Sequence, residues 1–123
     1  MAFLNDRVFD NGLTVLDTEA NAIHVTSQEA TSYAEATSTY TLGNSTSLSI
    51  GAPADRTGGG RKVTVAAISD GSITADGTAT HYAIVDTANS RLLATAALTA
   101  SQSVTNGNTF TLATFDIGVP DPA

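Results

Sequence analysis

The stretch Val63-Thr64-Val65-Ala66-Ala67-Ile68-Ser69-Asp70-Gly71-Ser72-Ile73-Thr74-Ala75-Asp76-Gly77-Thr78-Ala79-Thr80-His81-Tyr82-Ala83-Ile84-Val85-Asp86 decides the fold. Residues 63–68 are β-branched and apolar, which reads as a strand. Ser69-Asp70-Gly71-Ser72 then reads as a turn, and Ile73-Thr74-Ala75 leads to a second turn at Asp76-Gly77. Asp tolerates positive φ and Gly adopts it freely, so both pairs suit tight hairpins. Residues 78–86 give the strongest strand of the chain.

Outward from there the pattern repeats. Thr87-Ala88-Asn89-Ser90 closes that strand, and Arg91-Leu92-Leu93-Ala94-Thr95-Ala96 returns. Asn106-Gly107-Asn108 introduces residues 109–117, where Phe110 and Leu112 alternate with polar neighbours. Phe115 and Ile117 follow with the period slipped by one at Thr114, which predicts a bulge. Strands at roughly ten-residue spacing, separated by Gly, Asn and Asp, predict an antiparallel sandwich rather than βαβ units.

The first half is less regular. Asp10-Asn11-Gly12 reads as a turn before a short extended run, Leu13-Thr14-Val15-Leu16. Ala22-Ile23-His24-Val25-Thr26 is a second short strand. Residues 30–36 predict one helical turn, capped by Thr31 or Ser32 with Glu35 three or four residues on. Residues 40–50 are expected to be extended. Residues 52–62 read as a Gly-rich loop, holding Pro53, Asp55, Arg56 and Gly58-Gly59-Gly60, since three consecutive glycines suit no packed element. Pro120 and Pro122 keep the tail, residues 118–123, out of a helix or central strand. The expectation is an all-β chain: a single antiparallel β-sandwich or jelly-roll-like domain over residues 1–123. Its N-terminal region is irregular, with an arm at residues 1–12.

Composition bounds the function. The chain has 123 residues, 5 Lys and Arg against 12 Asp and Glu, and a formal charge of -7. Five scattered cations make no basic stripe, so a nucleic-acid partner is not expected. With no Cys there is no disulfide scaffold, thiol nucleophile or zinc finger. No apolar run is long enough to cross a bilayer, so no membrane partner is expected. Met1-Ala2-Phe3-Leu4-Asn5-Asp6 lacks the charged start and apolar run of a signal peptide. Much of the 41% hydrophobic content is Ala, with only 4 Phe, 3 Tyr and 1 Met. A thin core and marginal monomer stability are expected, and with them a motive to associate.

Each chemical motif has a plainer structural explanation. Gly58-Gly59-Gly60-Arg61-Lys62 lacks the G-x-x-x-x-G-K-[ST] spacing, and the strand-like Val63-Thr64-Val65 follows where a phosphate loop needs a helix. His24 and His81 sit among apolar residues with no sequence-local third ligand for a metal. Asp70, Ser72, Thr74 and Asp76 alternate, but turn chemistry accounts for both Asp-Gly pairs without calcium. No G-x-S-x-G elbow and no set of nucleophile, base and orienter is visible. No enzyme activity, cofactor or metal is therefore expected. Arg56, Arg61 and Lys62 are three of the five cations and share the Gly-rich loop. They read as a positive finger that docks on an acidic partner surface.

Two further stretches carry a resemblance. One is Gly77-Thr78-Ala79-Thr80-His81-Tyr82-Ala83-Ile84-Val85-Asp86, then Arg91-Leu92-Leu93, then Val104-Thr105-Asn106-Gly107-Asn108-Thr109-Phe110-Thr111-Leu112. The other is the opening Met1-Ala2-Phe3-Leu4-Asn5-Asp6-Arg7-Val8-Phe9-Asp10-Asn11-Gly12-Leu13. Together they resemble small structural proteins of tailed bacteriophages. In size, acidity and β content the chain is similar to capsid decoration, or cement, proteins. That resemblance implies a homotrimer on the outer head surface of the virion, bound to the major capsid protein and bracing the shell. It brings no catalytic residues. An acidic outer protein also avoids competing for the genome, and trivalency multiplies weak contacts. The residues expected to carry docking are Phe3, Leu4 and Arg7 of the arm, with Arg56, Arg61 and Lys62. Neighbours in the assembly are expected to clamp the ends of the chain. The competing expectations are a head fibre, a head–tail connector or tail protein, and a glycan-binding module. The last would want an aromatic platform, and the chain has no Trp.

Overall fold

A computed structural model describes residues 3–4, 14–46, 48–55 and 61–119. In chain order the elements are β1 (Phe3–Leu4), α1 (Thr14–Glu19), β2 (Ala22–Thr26), a π-type helical turn (Glu35–Thr39), β3 (Thr41–Ser45), β4 (Ala54–Asp55), β5 (Arg61–Val65), β6 (Ile68–Ile73), β7 (Gly77–Asp86), β8 (Arg91–Val104), β9 (Thr109–Leu112) and β10 (Phe115–Val119).

Residues 61–119 are one long two-stranded ribbon folded upon itself. The ladder opens at Asp86↔Arg91 and reaches Gly77↔Val104. It continues through Ser72↔Thr109 and Ile68↔Leu112, then Val65↔Phe115 to Arg61↔Val119. At its tip the buried Asp86 carboxylate accepts the backbone N–H groups of Ala88 (3.0 Å) and Asn89 (3.3 Å) and the Asn89 side-chain amide (2.8 Å). Asn21 clips the tip to the start of β2, accepting Thr87 N–H at 3.0 Å and donating to its hydroxyl at 2.8 Å.

Folding the ribbon builds both sheets. The seven-stranded sheet runs β1-β8-β7-β2-β3-β6-β9, and the three-stranded one β10-β5-β4. The β2–β3 pair thus fills the space between two lengths of the same ribbon. The expected all-β antiparallel sandwich is what the chain forms. Ile23, Val25 and Ile84 of the large sheet share a core with Val63, Val65 and Ile117 of the small one. This is the layered way for two half-apolar sheets to bury their faces.

Several local expectations need correction. The chain breaks at Ala66-Ala67, so residues 63–68 are the end of one strand and the start of another. At the same level the return arm breaks at Ala113-Thr114, and the Thr114 hydroxyl donates to Val65 C=O at 2.7 Å. Both arms change sheet together here. The slipped period at Thr114 therefore marks a crossing between sheets, not a bulge within one strand. Asp70-Gly71 is not a turn either, for it lies inside β6. Gly71 faces Phe110 across the ladder, and a Cβ there would collide with the Phe110 ring. The glycine is needed for close approach, not for a reversal. The Asn106-Gly107 turn does hold: Gly107 has φ +92°, in the region that favours glycine.

Leu13-Thr14-Val15-Leu16 was expected to be extended, yet residues 14–19 form α1. The turn buries Leu16 completely. The Thr18 hydroxyl bonds back to Thr14 C=O at 2.9 Å, and Glu19 reaches Arg91 at 3.3 Å. Four residues are too few for a period to separate strand from helix. The turn at Asp10-Asn11-Gly12 lies outside the described residues. The loop of residues 52–62 is narrower than expected, because Ala54 and Asp55 pair with Lys62 and Arg61. Gly118 and Val119 likewise belong to β10, and the rest of the tail lies outside the described residues.

The helical turn expected at residues 30–36 sits slightly later and carries the expected cap. Ser32 Oγ accepts Glu35 N–H at 3.2 Å, and the Glu35 carboxylate reaches back to Thr31 N–H at 2.8 Å. That is capping-box chemistry moved by one residue. Ser27 N–H bonds Tyr40 C=O at 3.0 Å, closing residues 27–40 into a compact loop. The loop lays Ala30 and Ala36 on Ala22, Ala83, Val85 and Leu92, forming a second, smaller core on the opposite face of the large sheet. β2 is covered on both faces, and all five of its residues are buried.

Candidate interaction surface

The expected docking residues fall in two places. Phe3 and Leu4 form β1, an added strand on the outer side of β8, in register with Thr95 and Ala94. Arg7 and Arg56 lie outside the described residues. Arg61 and Lys62 are not in a loop but open β5, where they pair with β4 and β10.

The outer face of the small sheet gives Lys62 a local partner. Val63, Val65 and Ile117 point inward and are buried, so Lys62, Thr64 and Asp116 share the outer face. Lys62 Nζ lies 3.0 Å from Asp116 Oδ2, and the Thr64 hydroxyl donates to Asp116 Oδ1 at 2.8 Å. The Thr64 and Lys62 hydrogen bonds hold the Asp116 carboxyl below its ordinary range. The pair is solvent-exposed, so water and salt screen it. A docking partner must therefore compete with Asp116 for Lys62.

The two histidines lie under the loop of residues 27–40. His24 pairs with Ala83, and Thr26 with His81, so both rings share one face of the large sheet. The Thr41 hydroxyl donates to Gly43 C=O at 3.2 Å, so at 2.8 Å it accepts from His24 Nδ1–H. The Thr80 hydroxyl donates to Ser27 C=O at 2.9 Å and accepts from His81 Nδ1–H at 2.8 Å in the same way. Each threonine thereby orients the imidazole ring beside it. Burial holds the His24 pKa below its ordinary value. Among the described residues, no group of three or more His, Cys, Asp or Glu could hold a metal ion. Asp70 and Asp76 are used apart: Asp70 accepts the Ser45 hydroxyl at 3.1 Å, and Asp76 accepts Asn106 N–H at 2.7 Å.

A cleft that the sequence did not announce opens on the return arm of the ribbon. Four residues of β8 (98–101) stand opposite one residue of β7, Thr80, between the pairs Ala79↔Gln102 and His81↔Ala97. This irregularity and the corner at residues 112–115 enclose a space of about 410 Å³. Tyr82 and Phe115 both line it, with ring centroids 4.7 Å apart. Leu98, Leu112 and alanines line it, with Gln102 and Thr114 as its polar side chains. Burial pushes the Tyr82 phenol up to about 12. The lining offers contact area for an apolar group and no nucleophile paired with a base. The sequence signal was faint, being the run of small residues Ala94 to Ala100 after a well-marked strand.

Against known proteins, no family model, no curated protein and no solved structure matches the chain.

Proposed function

We propose that this chain is a capsid decoration protein of a tailed bacteriophage. It binds the outer head surface, bridges subunits of the major capsid protein, and works as a homotrimer. The resemblance of residues 77–112 and of the opening segment to phage structural proteins carries the reading. The folded ribbon supports it in physical terms. A long two-stranded ribbon, clipped at its tip by Asn21 and at its sheet-crossing corner by Thr114, suits a brace rather than a moving part. An acidic chain does not compete for the packaged genome. Docking falls to Phe3, Leu4, Arg7, Arg56, Arg61 and Lys62, meeting acidic and apolar features of the shell.

The test is the copy number of this chain in purified particles, by quantitative mass spectrometry against the major capsid protein. Hundreds of copies, close to the capsid count, support shell-wide decoration. A few to a few dozen copies replace it with a head fibre, connector or tail component, and absence ends the virion reading. On intact heads, charge reversal at Arg56 and Arg61 should weaken docking roughly tenfold or more while the circular dichroism spectrum stays unchanged. Docking that does not change removes those two residues from the contact.

A further inference from the structure

Residues 92–115 contain no Asp, Glu, Lys, Arg or His, on a chain whose formal charge is -7. The stretch covers most of β8, the ribbon bend, β9 and the start of β10. Much of it faces solvent: Ala97, Ala100, Ser101, Gln102 and Ser103 are all exposed.

Among the described residues, the same stretch holds an open sheet edge. β8 pairs with β7 on one side. On the other, the described residues of β1 pair with Thr95 and Ala94. Among the described residues, nothing pairs with that outer side over residues 96–104. An open edge presents backbone N–H and C=O groups to any incoming strand, and folded chains usually blunt it with Lys, Pro or a bulge. Residues 96–104 contain neither Lys nor Pro. Their irregularity at residues 98–101 interrupts the pairing with β7, and Leu98 and Ala100 within it line the apolar cleft. β1 shows that this edge accepts an extended segment in antiparallel register.

We propose that the outer edge of β8 and the cleft beside it form the contact between copies of this chain. A strand edge of a second copy adds to β8, and an apolar side chain of that copy enters the space lined by Leu98, Leu112 and Phe115. Charge selects the occupant. Two chains of -7 repel across most of their faces. The uncharged stretch is where like copies approach at least cost, and charge depletion is a mark of interface cores. The inference rests on the self-association in the proposed function and names its surface; capsid docking plays no part in it.

The experiment measures the mass of the purified chain by light scattering across micromolar concentrations. It compares the wild type with S101K/S103K, with A100K as a second variant at the same edge, and with S69K as an exposed control elsewhere. Circular dichroism and thermal melting establish that each is folded. The wild type and S69K should assemble alike. A folded S101K/S103K or A100K should lose association roughly tenfold or more. A monomeric wild type overturns self-association itself, and with it this surface. An assembling wild type whose folded edge variants assemble equally overturns the surface alone. Equal loss in S69K also overturns it, by showing a general effect of charge. None of these outcomes bears on capsid copy number, which is read on particles.

Discussion

His24 is buried, neutral and fixed through Nδ1 by Thr41, which makes folding depend on pH. Its folded pKa lies below the ordinary value of 6.5 because burial disfavours the imidazolium. The stabilisation is therefore complete above pH 6.5 and is lost as pH falls through the lower folded value. Glu35 and Asp116 also have lowered pKa values, but from ordinary values of 4.5 and 3.8, so their losses come at more acid pH. Urea denaturation between pH 7 and the carboxylate range should show falling stability, with a slope of at most about 1.4 kcal/mol per pH unit from one proton. His24→Gln should be less stable at pH 7 and should flatten that slope. An unchanged slope in the variant assigns the effect to another group. The sequence reading expected a packed or surface histidine, and the structure buries His24. The sequence had no means of showing the threonine that orients it, because Thr41 lies on the neighbouring strand.

At the scale of elements, the sequence marked strands well and corners poorly. The strands at residues 78–86 and 109–112 were legible because β-branched and aromatic residues alternate there. The crossings at Ala66-Ala67 and Ala113-Thr114 were not, since a change of sheet leaves the same trace as a slipped period. Gly71 misled for a related reason. Asp-Gly is a turn signal by itself, and only the ring of Phe110, about forty residues on, turns it into a packing position. Gly71→Ala should destabilise the chain by about 1–3 kcal/mol, as overpacking does in a filled core. Phe110→Leu in the same chain should recover part of that loss, which a double-mutant cycle with thermal or urea unfolding would show as coupling. Strictly additive effects would mean that the ring does not cover the glycine. The candidate cleft was less legible still. It needs the two irregular points of the return arm brought together, and no local pattern carries that juxtaposition.

For the whole molecule, the two proposed contacts differ in their electrostatics and so in their response to salt. Arg56 and the small-sheet cations Arg61 and Lys62 would meet acidic groups on a shell. Screening should weaken that docking, and Lys62 additionally has to leave Asp116. The β8 side of the proposed contact contains no charge, while the copies it would join each carry -7. Salt there removes only repulsion between like molecules. As ionic strength rises from about 0.01 to 0.1 M, the screening length shortens from roughly 30 Å to 10 Å. Over that range light scattering should show stronger association of the free chain, while binding to intact heads should weaken. If both rise with salt, the cations do not carry docking. If self-association falls, charged residues outside the stretch of residues 92–115 hold the copies together. The opposed trends follow from one feature of the chain, the segregation of an uncharged ribbon face from the rest of an acidic surface.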